Sequence, residues 1–293
     1  MSTNKTTTSS VCRSGQYVGD YQMLALLAKG EHGEVWSALS SQGDICALKI
    51  FLSENMEDAR QEYDRAMRFT HPNILSPIAF LPDERPCVMV LPYCEGRSVD
   101  VVVGHMSEGL LWQLVRDVSG ALCKIHSQGW VHLNVNPSNI LWNGTSFLLT
   151  DFGECVDEEV VKSGVLPAGG SYRYDAPERF SKVTGACDIW SLGATVFHLY
   201  MGCYVFNGLG GRVQQPHSPL PYMRKSMPAL SELVTSCLAF NASERPVASV
   251  IYEQACEELK RRESLETGRL TKKSGSMQEK EDSCGFWPDS MIE

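Results

Sequence analysis

A lysine inside one apolar run and an aspartate directly after another are the first candidates for chemistry. Lys49 lies in the run CALKIF, where burying an unpaired ammonium group would be costly, so it requires an anionic partner. Glu62, on the following predicted helix, could supply the carboxylate, although a surface lysine on an edge strand fits the same run. Asp151 opens the run DFGE after the apolar run SFLLT. A carboxylate placed there could hold a metal ion over a phosphate chain.

A glycine-containing turn precedes Lys49 along the chain. The run AKGEHGEV, residues 28–35, connects two strand-like segments. Gly30 and Gly33 would allow backbone N–H groups to approach phosphate oxygens without a side chain in the way. Glycine turns are also common in hairpins, so this run is weak on its own. The order in which several such runs follow one another carries more information than any one of them.

The elements that must position these residues change character near residue 107. Before it, short strand-like runs broken by glycine turns predict an antiparallel sheet, with one helix over 54–69. After it, apolar residues at helical spacing predict helices over 108–129, 187–202, 229–239 and 246–262. This order predicts an α+β fold in which a small β-rich lobe and a larger helical lobe meet in a cleft.

The composition is that of an ordinary globular protein. Of 293 residues, 43% are apolar and 21% charged, and the net charge of −9 argues against nucleic acid or an anionic membrane as the partner. The 11 cysteines occur singly and no apolar leader is visible, so we expect reduced thiols and a cytoplasmic or nuclear, non-secreted protein. The apolar run 189–206 is long enough to span a membrane, but its polar residues favour a buried core helix.

Seven motifs in order resemble those of the eukaryotic protein kinases. They are the glycine turn, Lys49, and the runs VHLNVNPSN, DFGE, APE, DIWSLG and ERP. The resemblance covers about residues 19–260 and implies a bilobal kinase fold. It divides the chain into a flexible tail at 1–18, a small lobe at 19–95, a large lobe at 96–262 and a disordered tail at 263–293.

The resemblance implies a site for ATP and Mg²⁺. Gly30 and Gly33 resemble the second and third glycines of the phosphate-covering loop. Ala28 stands at the first, where it keeps φ negative and limits loop closure. Lys49 resembles the lysine that contacts the α- and β-phosphates, and Glu62 its partner. The other positions are those around the adenine and those that hold the metal: Val35, Ala47, Leu91, Tyr93 and Cys94, then Asn139 and Asp151.

Two structural pairings of the large lobe also follow from the resemblance. Glu178 and Arg245 match an ion pair, and Asp188 matches the acid of the central buried helix that braces the catalytic loop. The run GGSYRYDAPE, residues 169–178, is of the Ser/Thr type, and Leu133 gives the catalytic loop a weak similarity to the Wee/Myt branch.

The catalytic loop departs from the family pattern H-R-D-x-K-x-x-N at three polar positions. Asn134 replaces the aspartate that accepts the substrate proton, and an amide cannot take a proton near neutral pH, which removes a contribution of ~10²–10⁴ in rate. Asn136 replaces the lysine that neutralises the γ-phosphate, a contribution of ~10²–10³ that need not multiply with the first. Leu133 replaces the arginine that grips a phosphorylated loop, so we expect no phosphorylation switch through this residue.

Three hypotheses about function remain open on the sequence alone. The first is a pseudokinase that binds Mg·ATP and regulates or scaffolds a protein partner. The second is a slow Ser/Thr kinase, since phosphoryl transfer asks little of a base. The third is an interaction module that holds no nucleotide and whose cleft is filled by apolar side chains. The acidic run from Glu154 to Glu159 could imitate a phosphorylated loop, but without an arginine at 133 we expect it to be a solvated charged stretch.

Overall fold

The small lobe is built on one sheet of six antiparallel strands. They belong to a computed structural model, which describes residues 12–30, 33–52, 56–163, 169–216, 218–219, 223 and 227–273, without the side chains of 266–273. One helix, Met56–Met67 (α1), interrupts the sheet. The strands are Tyr17–Val18 (β1), Tyr21–Lys29 (β2), Gly33–Leu39 (β3), Ile45–Phe51 (β4), Ala79–Leu81 (β5) and Val88–Pro92 (β6). In the sheet they lie in the order β1-β2-β3-β4-β6-β5.

Alternation along β4 places Lys49 on the inner face of the sheet. Cys46, Leu48 and Ile50 belong to an apolar cluster on one face of the sheet, which we call the outer cluster. Ala47 and Phe51, the neighbours of Lys49 on the opposite face, belong to a second apolar cluster, which we call the inner cluster. β4 pairs with β3 on one side and β6 on the other. The edge-strand interpretation of Lys49 is therefore wrong.

The predicted flexible tail at 1–18 is wrong for its second half. Cys12 and Val18 are buried in the outer cluster, and β1 pairs with β2. Residues 12–18 pack on the apolar side chains of the outer face of β4 and β6, because these side chains would otherwise be exposed to water. Residues 1–11 lie outside the described part of the chain.

The large lobe is mainly helical and is organised around one helix buried on every side, Gly185–Met201 (α4). Gly193 allows it to pack closely on a later helix, because a Cβ there would lie 2.6 Å from Cys237 Cβ. The apolar run 189–206 is thus confirmed as a core helix, which ends at Met201. The other helices are Glu108–His126 (α2), Glu158–Lys162 (α3), Pro228–Cys237 (α5) and Ala248–Lys273 (α6).

The large lobe also contains two short strand pairs. They consist of Trp130–Val131 (β7) paired with Val156–Asp157 (β10), and of Ile140–Trp142 (β8) paired with Phe147–Leu149 (β9). The predicted α+β architecture with two lobes is confirmed. α6 continues to Lys273, so the predicted boundary at 262 is wrong, and residues 274–293 of the predicted tail lie outside the described range. None of the helices in the described ranges is long and apolar enough to cross a bilayer.

A buried ion pair connects three segments of the large lobe. The buried guanidinium of Arg245 donates to both carboxylate oxygens of Glu178, at 2.5 and 2.9 Å, and to the carbonyls of Ala186, Ala239 and Phe240. These bonds connect the end of the APE motif, the start of α4 and the segment before α6. Removing one partner would leave the other charge buried without compensation.

We therefore expect Glu178→Ala to lower the free energy of unfolding by about 3–5 kcal/mol. Urea titration followed by circular dichroism measures this loss. Glu159→Ala is the matched control, because Glu159 forms its ion pair with Lys162 at the surface and should leave the midpoint nearly unchanged. Equal effects of the two substitutions would contradict the role given to Arg245.

Candidate active site

Three charged side chains from three elements meet at the inner face of the sheet. Lys49 Nζ lies 2.6 Å from Glu62 Oε1 on α1 and 3.1 Å from Asp151 Oδ1. Glu62 can reach Lys49 because α1 packs against this face through the buried side chain of Ala59. The pair expected from the sequence is present, and Asp151 joins it from the large lobe. The contact therefore connects both walls of the cleft.

The protonation of this cluster follows from burial and mutual charge. Burial alone would lower the pKa of Lys49, but the carboxylates of Asp151 and Glu62 raise it above its ordinary value. Burial would raise the pKa of Asp151, yet the charge and hydrogen bond of Lys49 bring it below its usual range. For Glu62 burial prevails and raises the pKa to about 7, with Lys49 offsetting it only in part. Glu62 is thus the member that titrates near neutral pH.

Asp151 is oriented toward Lys49 by its backbone and by the packing of the next residue. Its φ of 68° is in the left-handed region, which is uncommon for a residue with a side chain and marks a position held by its surroundings. Phe152 is fully buried, with its ring 5.7 Å from that of Phe69 and 5.0 Å from that of His132. This stack connects the end of α1 to the catalytic loop beneath it.

The catalytic loop, residues 132–139, is braced from below by Asp188. Its carboxylate accepts the backbone N–H of His132 at 2.8 Å and of Leu133 at 2.7 Å, and contacts His126 Nε2 at 2.9 Å. Burial alone would raise the pKa of Asp188, but the hydrogen bond from His126 brings it below its usual range. These bonds hold Leu133 at a φ of 62°, a conformation that costs about 1–2 kcal/mol.

The side chains of the loop form a continuous set of amide hydrogen bonds. Asn134 Nδ2 donates to Asp151 Oδ2 at 3.2 Å, and Asn134 Oδ1 accepts from Asn136 Nδ2 at 2.9 Å. Asn136 Oδ1 in turn accepts the backbone N–H of Ser138 at 3.0 Å. Asn139 Nδ2 donates to the backbone carbonyl of Asn134 at 2.9 Å. The position that the family uses for a proton acceptor is therefore occupied by a group that donates a hydrogen bond to Asp151.

The residues predicted to surround the adenine lie along the inner cluster. Ala47 and Leu91 are buried opposite each other on β4 and β6, and Val35 and Cys94 are half-buried at the margin. Leu141 and Leu148 of the β8–β9 hairpin close the cluster from the large lobe. Tyr93 follows β6 and is half-buried as well. Apolar side chains from both lobes thus meet beside Lys49.

The glycine turn connects β2 to β3. Gly30 N–H donates to the carbonyl of Gly33 at 2.9 Å, which closes the turn between β2 and β3. A Cβ at Gly33 would lie 2.2 Å from the carbonyl oxygen of Ile50, so only glycine fits the approach of β3 to β4. Ala28 lies in β2 and pairs with Val35 of β3. Residues 31–32, at the tip of the turn, lie outside the described range.

The donor types at this site fit Mg²⁺. Asp151 offers carboxylate oxygens and Asn139 an amide oxygen, and oxygen ligands are those that Mg²⁺ prefers. Asn139 Nδ2 is directed to the carbonyl of Asn134, which leaves its Oδ1 on the other side. Both oxygens of Asp151 already accept protein hydrogen bonds, from Lys49 and Asn134.

A buried arginine that sequence reasoning missed holds the segment before the APE motif. Arg179 is 1% exposed; its Nη2 donates to the carbonyl of Gly169 at 2.8 Å and lies 3.8 Å from Glu154 Oε2, and its Nε lies 3.9 Å from Asp175 Oδ1. Glu154 is thus an ion-pair partner, so the expectation that its run is only a solvated stretch is wrong for this residue. The arginine follows Glu178 directly, and its full burial had no signal in the sequence.

The comparisons with known proteins identify the family of the chain. A family model described as "Protein kinase domain" matches residues 21–256. The chain is 30% identical to "Cytokinesis protein sepH" of Aspergillus terreus, over 74% of this chain and 17% of that protein. It is 29% identical to "Calcium-dependent protein kinase 5" of Plasmodium berghei, over 75% and 42%, and 27% identical to "Serine/threonine-protein kinase PknD" of Mycobacterium tuberculosis, over 80% and 39%. The chain belongs to the protein kinase family, and it spans less than half the length of these relatives.

The raised pKa of Glu62 gives a testable pH dependence. The unfolded chain loses this proton near pH 4.5 and the folded chain near pH 7, so the folded state binds more protons between these values. The free energy of unfolding that this group contributes should therefore fall as pH rises through the window. Glu62→Gln cannot titrate and should lack that slope. Relative to Glu62→Gln, the wild type should lose stability in denaturant titrations between pH 5 and 7.5, whereas Glu57→Gln should follow the wild type. Parallel profiles for wild type and Glu62→Gln would refute the shift.

Proposed function

We propose that this chain is a catalytically impaired protein kinase, a pseudokinase, that binds Mg·ATP and acts on a protein partner as a regulator or scaffold. The observation that carries the proposal is the hydrogen bonding of Asn134. Its amide nitrogen donates to Asp151 and its oxygen accepts from Asn136. A substrate hydroxyl arriving at this position would meet an amide, which cannot take its proton near neutral pH.

Nucleotide binding is supported by groups on both walls of the cleft. Lys49 is charged and positioned by Glu62, so it can contact the α- and β-phosphates. Asn139 and Asp151 would hold Mg²⁺, which when bound neutralises charge on the phosphate oxygens. Val35, the connection at 91–94 and Leu141 would enclose the adenine. Because several of these side chains are only half-buried, the third hypothesis, a cleft filled by its own side chains, is not favoured.

A slow Ser/Thr kinase remains the second candidate, and the assembled Lys49–Glu62 pair favours it. Phe152 is packed beneath α1 and Asp151 faces Lys49, which is an arrangement suited to holding a triphosphate for reaction. A largely dissociative transition state depends more on positioning than on a base. The two candidates differ in turnover and share nucleotide binding.

Nucleotide binding predicts a thermal shift. At a hundredfold excess of Mg·ATP over its dissociation constant, the ligand should stabilise the fold by about 2.7 kcal/mol. For a domain of this size that raises the melting temperature by roughly 5–10 °C. Lys49→Ala should lose most of the shift, and Lys182→Ala, which removes an exposed lysine elsewhere, should keep it. The proposal fails if millimolar Mg·ATP leaves the melting temperature of the wild type unchanged.

Restoring the two family residues predicts a gain of phosphoryl transfer. Asn134→Asp with Asn136→Lys returns a proton acceptor and a cation to a site whose other parts are in place. We expect transfer from radiolabelled ATP to a general protein substrate to rise by at least about tenfold. The same pair of substitutions combined with Asp151→Ala identifies any contaminating activity. Absence of a gain would mean that the site is misassembled at another position, with Ala28 the first to examine.

A further inference from the structure

A series of hydrogen bonds runs from the backbone of Ser138 through the side chains of Asn136 and Asn134 to Asp151. The groups at the two ends of the series fix the direction of each bond. At one end the backbone N–H of Ser138 can only donate, so the side-chain oxygen of Asn136 must face it. The nitrogen of Asn136 then faces Asn134 Oδ1, and the nitrogen of Asn134 faces Asp151. At the other end the carboxylate of Asp151 can only accept, which requires the same orientation. The two constraints agree, so Asn134 must present N–H to Asp151.

This orientation gives Asp151 a protein donor on each oxygen. Lys49 Nζ lies 3.1 Å from Oδ1, and Asn134 Nδ2 lies 3.2 Å from Oδ2. A carboxylate at position 134, as in the family pattern, would instead place a second negative charge at this distance. Two carboxylates so close repel each other unless one of them is protonated or a cation lies beside them. The amide of Asn134 removes that repulsion and supplies part of the stabilisation that a metal ion would give to Asp151.

We propose that this site binds ATP without an absolute requirement for a divalent cation, with the Asn134 amide acting at Asp151 in place of the metal. The ligand class is the metal-free nucleoside triphosphate, held by Lys49 on its phosphates and by the apolar inner cluster on its base. The inference rests on the proposed nucleotide binding and narrows it. Mg²⁺ can still bind through Asn139 and Asp151 and neutralise phosphate charge, so we expect a reduced dependence of ATP affinity on the cation.

The test is a calorimetric titration of the full chain with ATP, once with excess EDTA and once with excess Mg²⁺. For the wild type we expect dissociation constants within about tenfold of each other. Asn134→Asp restores the second carboxylate and should widen the ratio by at least about a further tenfold through weaker binding in EDTA. Asn134→Ala removes the donor without adding charge and should fall between the two.

Asn143→Asp is the matched control, because it is the same substitution in the exposed β8–β9 turn. Asn143 Oδ1 accepts the backbone N–H groups of Thr145 and Ser146, and a carboxylate can accept both. This variant should keep the wild-type ratio. Lys49→Ala should abolish binding in both conditions, which locates the ATP in the cleft, and circular dichroism melting confirms that each variant is folded.

The possible results separate this inference from the proposed function. Wild-type binding in Mg²⁺ but not in EDTA would overturn the inference and leave the nucleotide-binding proposal intact. An unchanged ratio in folded Asn134→Asp would also overturn it, because the amide would then have no part in metal independence. Absence of binding in both conditions would overturn the nucleotide-binding proposal and this inference together.

Discussion

The carboxylate of Asp151 is the point on which the rest of the site depends. It accepts from Lys49 on the small lobe and from Asn134 on the large lobe, so one side chain connects both walls of the cleft. Glu62 and α1 hold Lys49 from above, and the packing of Phe152 between Phe69 and His132 fixes the chain on which Asp151 lies. Asp188 braces the catalytic loop from below, and that loop presents Asn134. The cluster is buried enough for its charges to interact strongly, and removing Lys49 would leave both carboxylates without their cation.

The site separates two tasks that the protein kinase family usually combines. Holding a triphosphate requires positive charge, metal ligands and an apolar surface for the base, and the residues suited to each lie together in the cleft. In the family pattern, transferring the phosphoryl group also uses an acceptor for the substrate proton and a cation near the transferred γ-phosphoryl group. Here amides occupy both positions and are bonded to each other and to Asp151. The proposed pseudokinase function rests on this combination.

Much of this arrangement could be predicted from the sequence, because local patterns encode it. An apolar run with one lysine and a carboxylate on the next helix were sufficient to expect the pair of Lys49 and Glu62, whereas the contact of Asp151 with Lys49 came from the structure. The sequence could not show that residues 12–18 cover the outer face of the sheet or that Arg179 is buried against Glu154 and Asp175, because these contacts join segments that are distant along the chain. The directions of the amide bonds were also beyond it, since they depend on which atoms face each other in space. The end of α6 was missed because charged residues are compatible with both a solvated helix and a disordered tail.

The buried arginine suggests how the segment before the APE motif keeps its position. Leu133 carries no charge with which to grip a phosphate, whereas Arg179 is bonded to the carbonyl of Gly169 and lies close to two carboxylates of the chain itself.

The measurement that tests the central claim most directly is phosphoryl transfer by the purified, unaltered chain compared with Asp151→Ala, using radiolabelled ATP. The account predicts that the two proteins incorporate label at the same background rate, because Asn134 cannot accept the substrate proton. Rapid incorporation by the unaltered chain that Asp151→Ala abolishes would contradict it.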